Sequence, residues 1–194
     1  MSFPVLGQAL PKRGNRFSRG LGKGILALMG WTFKGTLPNL PKCVVIAAPH
    51  TSNWDFVLGI AVVLALGLDA HWIGKDTIFR PPLGILMRFL GGMPVDRRTR
   101  QGVVTQMIDA FERREQFVLG MAPEGTRKRV DRWRTGFYHM ACGARVPIVL
   151  GYFDYAHKVV GIGHHMMPTG DLEADMSQIR AFYADIVPKK PDQF

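Results

Sequence analysis

The chain has 194 residues, enough for one domain with a full hydrophobic core. Hydrophobic residues make up 47%, which excludes a disordered chain, and its longest apolar stretch, 56–68, is shorter than the roughly 20 residues a membrane-spanning helix needs. Twenty-five Lys and Arg against 15 Asp and Glu give a net charge of +10 and a pI of about 10.1, which point to anionic partners: nucleic acid, lipid headgroups or phosphorylated substrates.

In chain order, a helix is expected over 16–31. Arg16, Arg19 and Lys23 share one side of it, and Phe17, Leu21, Ile25, Leu28 and Trp31 share the other. No Asp or Glu precedes Asp55, whereas Lys12, Arg13, Arg16, Arg19, Lys23, Lys34 and Lys42 do. This basic amphipathic segment, 1–34, reads as an anchor on an anionic membrane surface or as a helix whose apolar face covers the core, and one helix can do both. Gly20, Gly22 and Gly24 each lower helix propensity by roughly 1 kcal/mol against alanine. The N-terminal apolar part is glycine-interrupted and lacks a clean cleavage site, so a signal peptide is not expected.

A second unit is expected over 35–194. After a linker with Pro38 and Pro41, a strand is expected at 43–48, a helix at 53–67 and a short strand at 71–74. A short helix follows at 82–90, then a strand around 93–95. A helix at 99–114 carries Val103, Met107, Ile108 and Phe111 at helical spacing. A strand at 117–121, a helix at 135–143, strands at 146–153 and 158–162, and a helix at 173–187 before Pro188 complete the chain. Strands alternating with helices predict an α/β fold, a single-domain sandwich with a largely parallel central sheet flanked by helices. Cys43 and Cys142 give no disulfide framework and read as small buried residues, which fits a reducing, cytoplasmic location.

The most informative stretch is Pro49-His50-Thr51-Ser52-Asn53-Trp54-Asp55, directly after the apolar run 44–48. An apolar strand ending in a polar turn places its last side chains at the rim of a sheet, where ligands bind in α/β folds. A histidine there takes protons near neutral pH, and a carboxylate behind it fixes its tautomer. The competing reading is a helix cap, with Thr51, Ser52 or Asn53 at the N-cap and Asp55 in the first turn. A second run, 116–121, ends in Ala122-Pro123-Glu124-Gly125-Thr126-Arg127, where glycine permits close backbone approach and arginine suits phosphate. Between the two lies Gly91-Gly92-Met93-Pro94-Val95-Asp96-Arg97-Arg98, and from Arg97 to Arg134 inclusive there are ten Lys or Arg. Arg113 and Arg114, at a helix end, read as structural. His157, His164 and His165 lack supporting acids or thiolates at ligand spacing, so no metal is expected.

H-x4-D, then G-x-x-x-x-D-R, P-E-G-T-R and Val146-Pro147-Ile148-Val149 together resemble the glycerolipid acyltransferases of the lysophosphatidic acid acyltransferase type, over roughly residues 35–155. The resemblance implies that His50 is the catalytic base, supported by Asp55. It also implies that Arg97, Glu124, Gly125, Thr126 and Arg127 bind the acceptor phosphate; within this basic turn Glu124 is expected to pair with an arginine and fix its pose. The implied reaction moves a fatty acyl group from a thioester to the hydroxyl of a lysophosphatidic-acid-like acceptor in phospholipid biosynthesis. Acyl-CoA or acyl carrier protein would be the co-substrate, without a cofactor. Trp54, Phe56, Trp72, Phe79, Leu83, Leu86, Met87 and Phe89 are candidates for an acyl groove. The expected setting is peripheral, on the anionic inner face of the membrane, with no nucleic-acid partner. Pro49, Lys128 and Leu150 depart from the family's usual residues, which leaves open another lysophospholipid or an amino-acid-derived lipid as acceptor. Two other classes remain: a thioesterase, with water replacing the alcohol, and a non-enzymatic basic membrane-binding module.

Overall fold

The computed structural model describes residues 3–95 and 100–194. Among these, seven strands form one sheet: β1 (Thr32–Lys34), β2 (Lys42–Ala48), β3 (Ala70–Lys75), β4 (Gly92–Val95), β5 (Phe117–Met121), β6 (Ile148–Asp154) and β7 (Val159–Met166). Their order across the sheet is β1-β7-β6-β2-β5-β3-β4, and every pairing is parallel except β6 with β7. Six helices cover the faces: α1 (Arg16–Leu28), α2 (Asn53–Leu66), α3 (Leu83–Phe89), α4 (Arg100–Glu112), α5 (Gly136–Ala144) and α6 (Leu172–Tyr183). The expected α/β sandwich with a largely parallel sheet is therefore what the chain adopts.

Strand β2 sits at the centre, with β5 on one side and β6 on the other. Buried on both faces, it needs a nearly continuous apolar sequence, and Cys43-Val44-Val45-Ile46-Ala47-Ala48 supplies one. Alternate side chains serve two cores. Val44, Ile46 and Ala48 join Phe111, Phe117, Phe137, Ile148 and Tyr183 under α4, α5 and α6. Cys43 joins Leu26, Leu58, Val62, Val118 and Phe153 under α1 and α2. Burial pushes the Cys43 thiol up to about 12, so it stays a neutral core group.

Three points differ from the sequence reading. Residues 32–34 form an edge strand because β7 pairs with them; nothing local marks three residues as a strand. The last helix stops at Tyr183 rather than 187, and the chain beyond it is tied to the end of β6, where the Val187 carbonyl accepts from the Tyr155 amide at 2.8 Å. The apolar side of the first helix is split between core and solvent. Phe17 and Leu28 are 79% and 91% exposed, and the residues α1 buries are Gly22 and Leu26. A Cβ on Gly22 would sit 2.5 Å from the Ala61 carbonyl oxygen, so glycine lets α1 lie directly on α2. The core-covering reading holds in part: Leu26, Ile25 and, just past the helix, Trp31 pack into the core, while Phe17, Leu21 and Leu28 stay exposed.

Candidate active site

The carboxyl ends of β2, β5 and β6 lie side by side, since β2 runs parallel to both neighbours. Three segments leave this rim together: 49–52 after β2, 122–127 after β5, and Tyr155 after β6. The turn after β2 begins with a cis Ala48–Pro49 peptide and ends at Ser52, the N-cap of α2. The Ser52 hydroxyl accepts from the Trp54 amide at 3.2 Å, and Asp55 Oδ2 accepts from the Ser52 amide at 2.7 Å. This reciprocal capping is worth about 1 kcal/mol. Asp55 is thus both a cap and a neighbour of the histidine: its Oδ2 lies 3.5 Å from His50 Nδ1.

Asp55 is 1% exposed, and its other oxygen accepts a hydrogen bond from the Tyr155 hydroxyl. Its carboxylate is therefore held on both sides. His50 is itself largely buried, and desolvation lowers its pKa; Asp55 pulls it up and Arg127 pushes it down. The neutral imidazole is the resting form at neutral pH. With Nδ1 toward Asp55, Nε2 is left with its lone pair free to accept a proton.

The turn after β5 is built around Glu124, which is 3% exposed. Its Oε1 accepts from the His50 backbone amide at 2.9 Å, and its Oε2 has no hydrogen-bond partner among the described residues. Among the described residues the expected pairing of Glu124 with an arginine is not seen; the carboxylate grips the backbone of the histidine turn. Burial raises the Glu124 pKa to about 7, with the His50 amide opposing. Gly125 has φ +64, a left-handed conformation, and a Cβ there would meet the Arg134 side chain at 2.7 Å. Thr126 Oγ1 accepts from the Lys128 amide at 3.3 Å, which shapes the turn. Arg127 reaches across to α2 and donates from Nη1 to Asn53 Oδ1. Arg97 lies outside the described residues. Arg113 pairs with Asp109 at 4.0 Å, while Arg114 donates to the Ala110 carbonyl and lies over the Phe117 ring, the structural roles expected of them.

A cavity of about 1630 Å³ opens beside His50 and Arg127. Phe56, Ile60, Trp72, Met87, Gly120 and Phe153 contribute to its apolar wall. Of the expected groove residues, Phe56, Trp72, Leu83 and Met87 line it. Phe79 is buried against Trp72 instead, Leu86 and Phe89 face outward, and Trp54 is half-exposed under the Lys189 ammonium. Among the described residues no cluster of His, Cys, Asp and Glu is arranged to hold a metal ion.

A buried-carboxylate histidine at the rim, an arginine within reach and an apolar cavity alongside suit acyl transfer to an alcohol. The family model described as Acyltransferase matches residues 33–150. The chain belongs to the acyltransferase family. Its fold is similar to that of PlsC from Thermotoga maritima, a 1-acyl-sn-glycerophosphate (LPA) acyltransferase, with a TM-score of 0.64 and 17% sequence identity, over 86% of this chain and 75% of that one. No curated protein matches it. Beside the motif residues, this acyltransferase places two others at the site that the sequence reading missed. Tyr155 follows the strand next to β2 at the same edge, a position that strand order alone would have flagged. Gln193 turns its amide nitrogen to the carbonyls of Arg127, at 2.6 Å, and Thr51, at 3.2 Å; no sequence signal marks it.

Proposed function

We propose that this acyltransferase moves a fatty acyl group from a thioester, acyl-CoA or acyl carrier protein, to the hydroxyl of a lysophosphatidic-acid-like acceptor. The observation that carries the reading is His50 held between buried Asp55 and the mouth of the apolar cavity. His50 Nε2 takes the acceptor's hydroxyl proton as its oxygen forms a bond to the thioester carbonyl carbon. The tetrahedral intermediate collapses with loss of the thiolate, which leaves with the proton from the imidazolium. Asp55 orients the ring and stabilises its charged form. Arg127, with Arg97, binds the acceptor phosphate, and Glu124, Gly125 and Thr126 shape the turn that presents Arg127. The cavity takes acyl chain, and no cofactor enters the scheme. The test is an acceptor screen with labelled acyl-CoA, read by mass spectrometry, across lysophosphatidic acid, other lysophospholipids, amino-acid-derived lipids and water. Acylation of phosphate-free acceptors at equal efficiency would sink the acceptor assignment, and hydrolysis alone would make the protein a thioesterase.

The exposed apolar residues of α1 support a membrane setting. Phe17, Leu21 and Leu28 are exposed beside Arg16, Arg19 and Lys23. The Arg13 guanidinium stacks over the ring of Phe89, which joins the N-terminal segment to the exposed apolar residues Ile85, Leu86 and Phe89 of α3. Among the described residues no helix is long and apolar enough to cross a membrane. This surface fits peripheral binding to an anionic membrane, on its inner face, with the basic residues each contributing about 1 kcal/mol. Wild-type protein should sediment with vesicles containing anionic phospholipid at low salt and less so at high salt. Phe17→Glu with Leu28→Glu should weaken that association while sparing turnover of a soluble short-chain acceptor. Wild-type protein that ignores such vesicles at low salt would remove the membrane reading.

A further inference from the structure

Asp55 cannot orient His50 unless something orients Asp55. A buried carboxylate leaves its oxygens unsolvated, and each unfilled lone pair costs free energy. Oδ2 has the Ser52 amide at 2.7 Å and His50 Nδ1 at 3.5 Å. Oδ1 has the Tyr155 hydroxyl, 100 residues away in sequence. Tyr155 is in turn fixed in three ways. Its amide donates to the Val187 carbonyl at 2.8 Å, its ring meets Trp31 edge-on with centroids 4.7 Å apart, and Lys189 Nζ lies 5.9 Å from its ring centroid. Burial and the Asp55 carboxylate raise the phenol pKa far above its usual range, so the group is a neutral donor at every working pH. Register explains the meeting. Ala48 pairs with Tyr152 across β2 and β6, so Tyr155 and His50 leave adjacent parallel strands at nearly the same level.

We propose that Tyr155 is the positioning residue of the site, completing a Tyr155–Asp55–His50 chain in which its hydroxyl sets the pose and the effective charge of Asp55 and thereby the basicity of His50. The proposal rests on the reading of His50 as base. The hydroxyl shares the negative charge of Asp55, which would otherwise bear wholly on the imidazole. Among the described residues, the other charged groups facing this triad are Arg127, which depresses the His50 pKa, Glu124, whose carboxyl grips the His50 amide, and Lys189 above Tyr155. None of them touches Oδ1 of Asp55 by a hydrogen bond, so the phenol alone fills that place among the described residues.

Tyr155→Phe removes one oxygen and keeps the ring contact with Trp31 and the backbone bond to Val187. With Asp55 no longer sharing its charge, the His50 pKa should rise, visible as an upward shift of the His50 titration by NMR, with His50→Ala assigning the resonance. The acid limb of the kcat/KM profile should move to higher pH with it, since more base is protonated at a given pH. With a long-chain acyl-CoA and a lysophosphatidic acid, kcat should fall roughly tenfold to a hundredfold, the worth of a bond to a charged group, while the acceptor KM stays put. A Tyr155→Phe protein with a lowered Tm but an unshifted His50 titration and wild-type kcat would overturn the proposal and leave Tyr155 a packing residue. Should His50→Ala itself retain turnover, the base assignment fails instead, and the two failures are told apart.

Discussion

The two turns that meet at the rim are built differently. The His50 turn is a short strand-to-helix connection whose polar atoms are buried and paired: Asp55 with Ser52 and Tyr155, the His50 amide with Glu124. The turn after β5 buries Pro123 and Glu124 and then exposes Arg127, Lys128 and Arg129 to solvent. The first has the rigidity that proton transfer needs, since geometry within a fraction of an ångström decides its rate. The second presents charge at the mouth of the cavity, where an anionic headgroup of variable shape must be met. The same edge of one sheet therefore carries a fixed chemical element and an accessible recognition element, and Glu124 joins them.

If that division holds, substitutions on the two sides fail in different ways. His50→Ala should lower kcat by about 10²- to 10⁴-fold, the range for a lost general base, with the fold intact because the rim contributes little to the core. Asp55→Asn should follow most of the way. Arg127→Ala should instead raise the acceptor KM by about ten- to a hundredfold, equivalent to 1.5–3 kcal/mol for a charge-assisted bond, with a smaller change in kcat. Steady-state kinetics on phosphorylated and unphosphorylated acceptors separates the cases. Equal losses from Arg127→Ala on both acceptors would erase the distinction between the turns.

Glu124 tests the joint. If it holds the His50 turn by accepting the backbone N–H, Glu124→Gln keeps an acceptor and most of the activity, whereas Glu124→Ala loses both. Its pKa adds a stability signature. The folded value, about 7, lies above the unfolded value of 4.5, so between them the native state binds more protons than the unfolded one. Stability contributed by the protonated form is complete below about pH 4.5 and is lost as pH rises toward 7 and beyond, by up to about 1.4 kcal/mol per pH unit in that window. Thermal unfolding across pH 5 to 8 should therefore slope downward more in wild type than in Glu124→Gln. Parallel slopes would mean that the carboxyl is ionised in the native state throughout.

The sequence made the fixed element easier to read than its supports. H-x4-D marks itself because the cap, the first-turn carboxylate and the rim position are all local consequences of one strand-to-helix turn. Likewise the central strands announce themselves as apolar runs. Tyr155 and Gln193 are invisible in the same string, since their partners are distant in sequence and only the fold brings them to one edge. Glu124 is legible by motif, but its bond to the His50 amide is not, because a motif fixes neighbours in sequence and not the atom an oxygen will meet. The orientation of α1 was undecidable for a related reason. Periodicity gives a helix a face without saying which way it turns, and Gly22, legible only as a helix-weakening residue, turned out to be the point where α1 crosses α2.

Gln193 offers the smallest and sharpest probe of how the turns are held together. Its amide nitrogen donates to the Arg127 carbonyl on one turn and the Thr51 carbonyl on the other, and the nearby Lys190 amide donates to Thr51 Oγ1 at 3.3 Å. Two neutral hydrogen bonds at the surface contribute about 1 kcal/mol net between them. Gln193→Ala should then lower Tm by about 2–4 °C for a chain of this size and raise the acceptor KM several-fold, because Arg127 is the less constrained partner. The His50 titration and kcat should hold, since Asp55, Ser52 and Tyr155 anchor that turn independently. Gln193→Glu should do worse than alanine at neutral pH, because it aims a carboxylate at two carbonyl oxygens that need a donor. A glutamate variant indistinguishable from wild type in Tm and KM would mean that the tail merely lies over the two turns, and that Glu124 and the Arg127–Asn53 contact hold them together unaided.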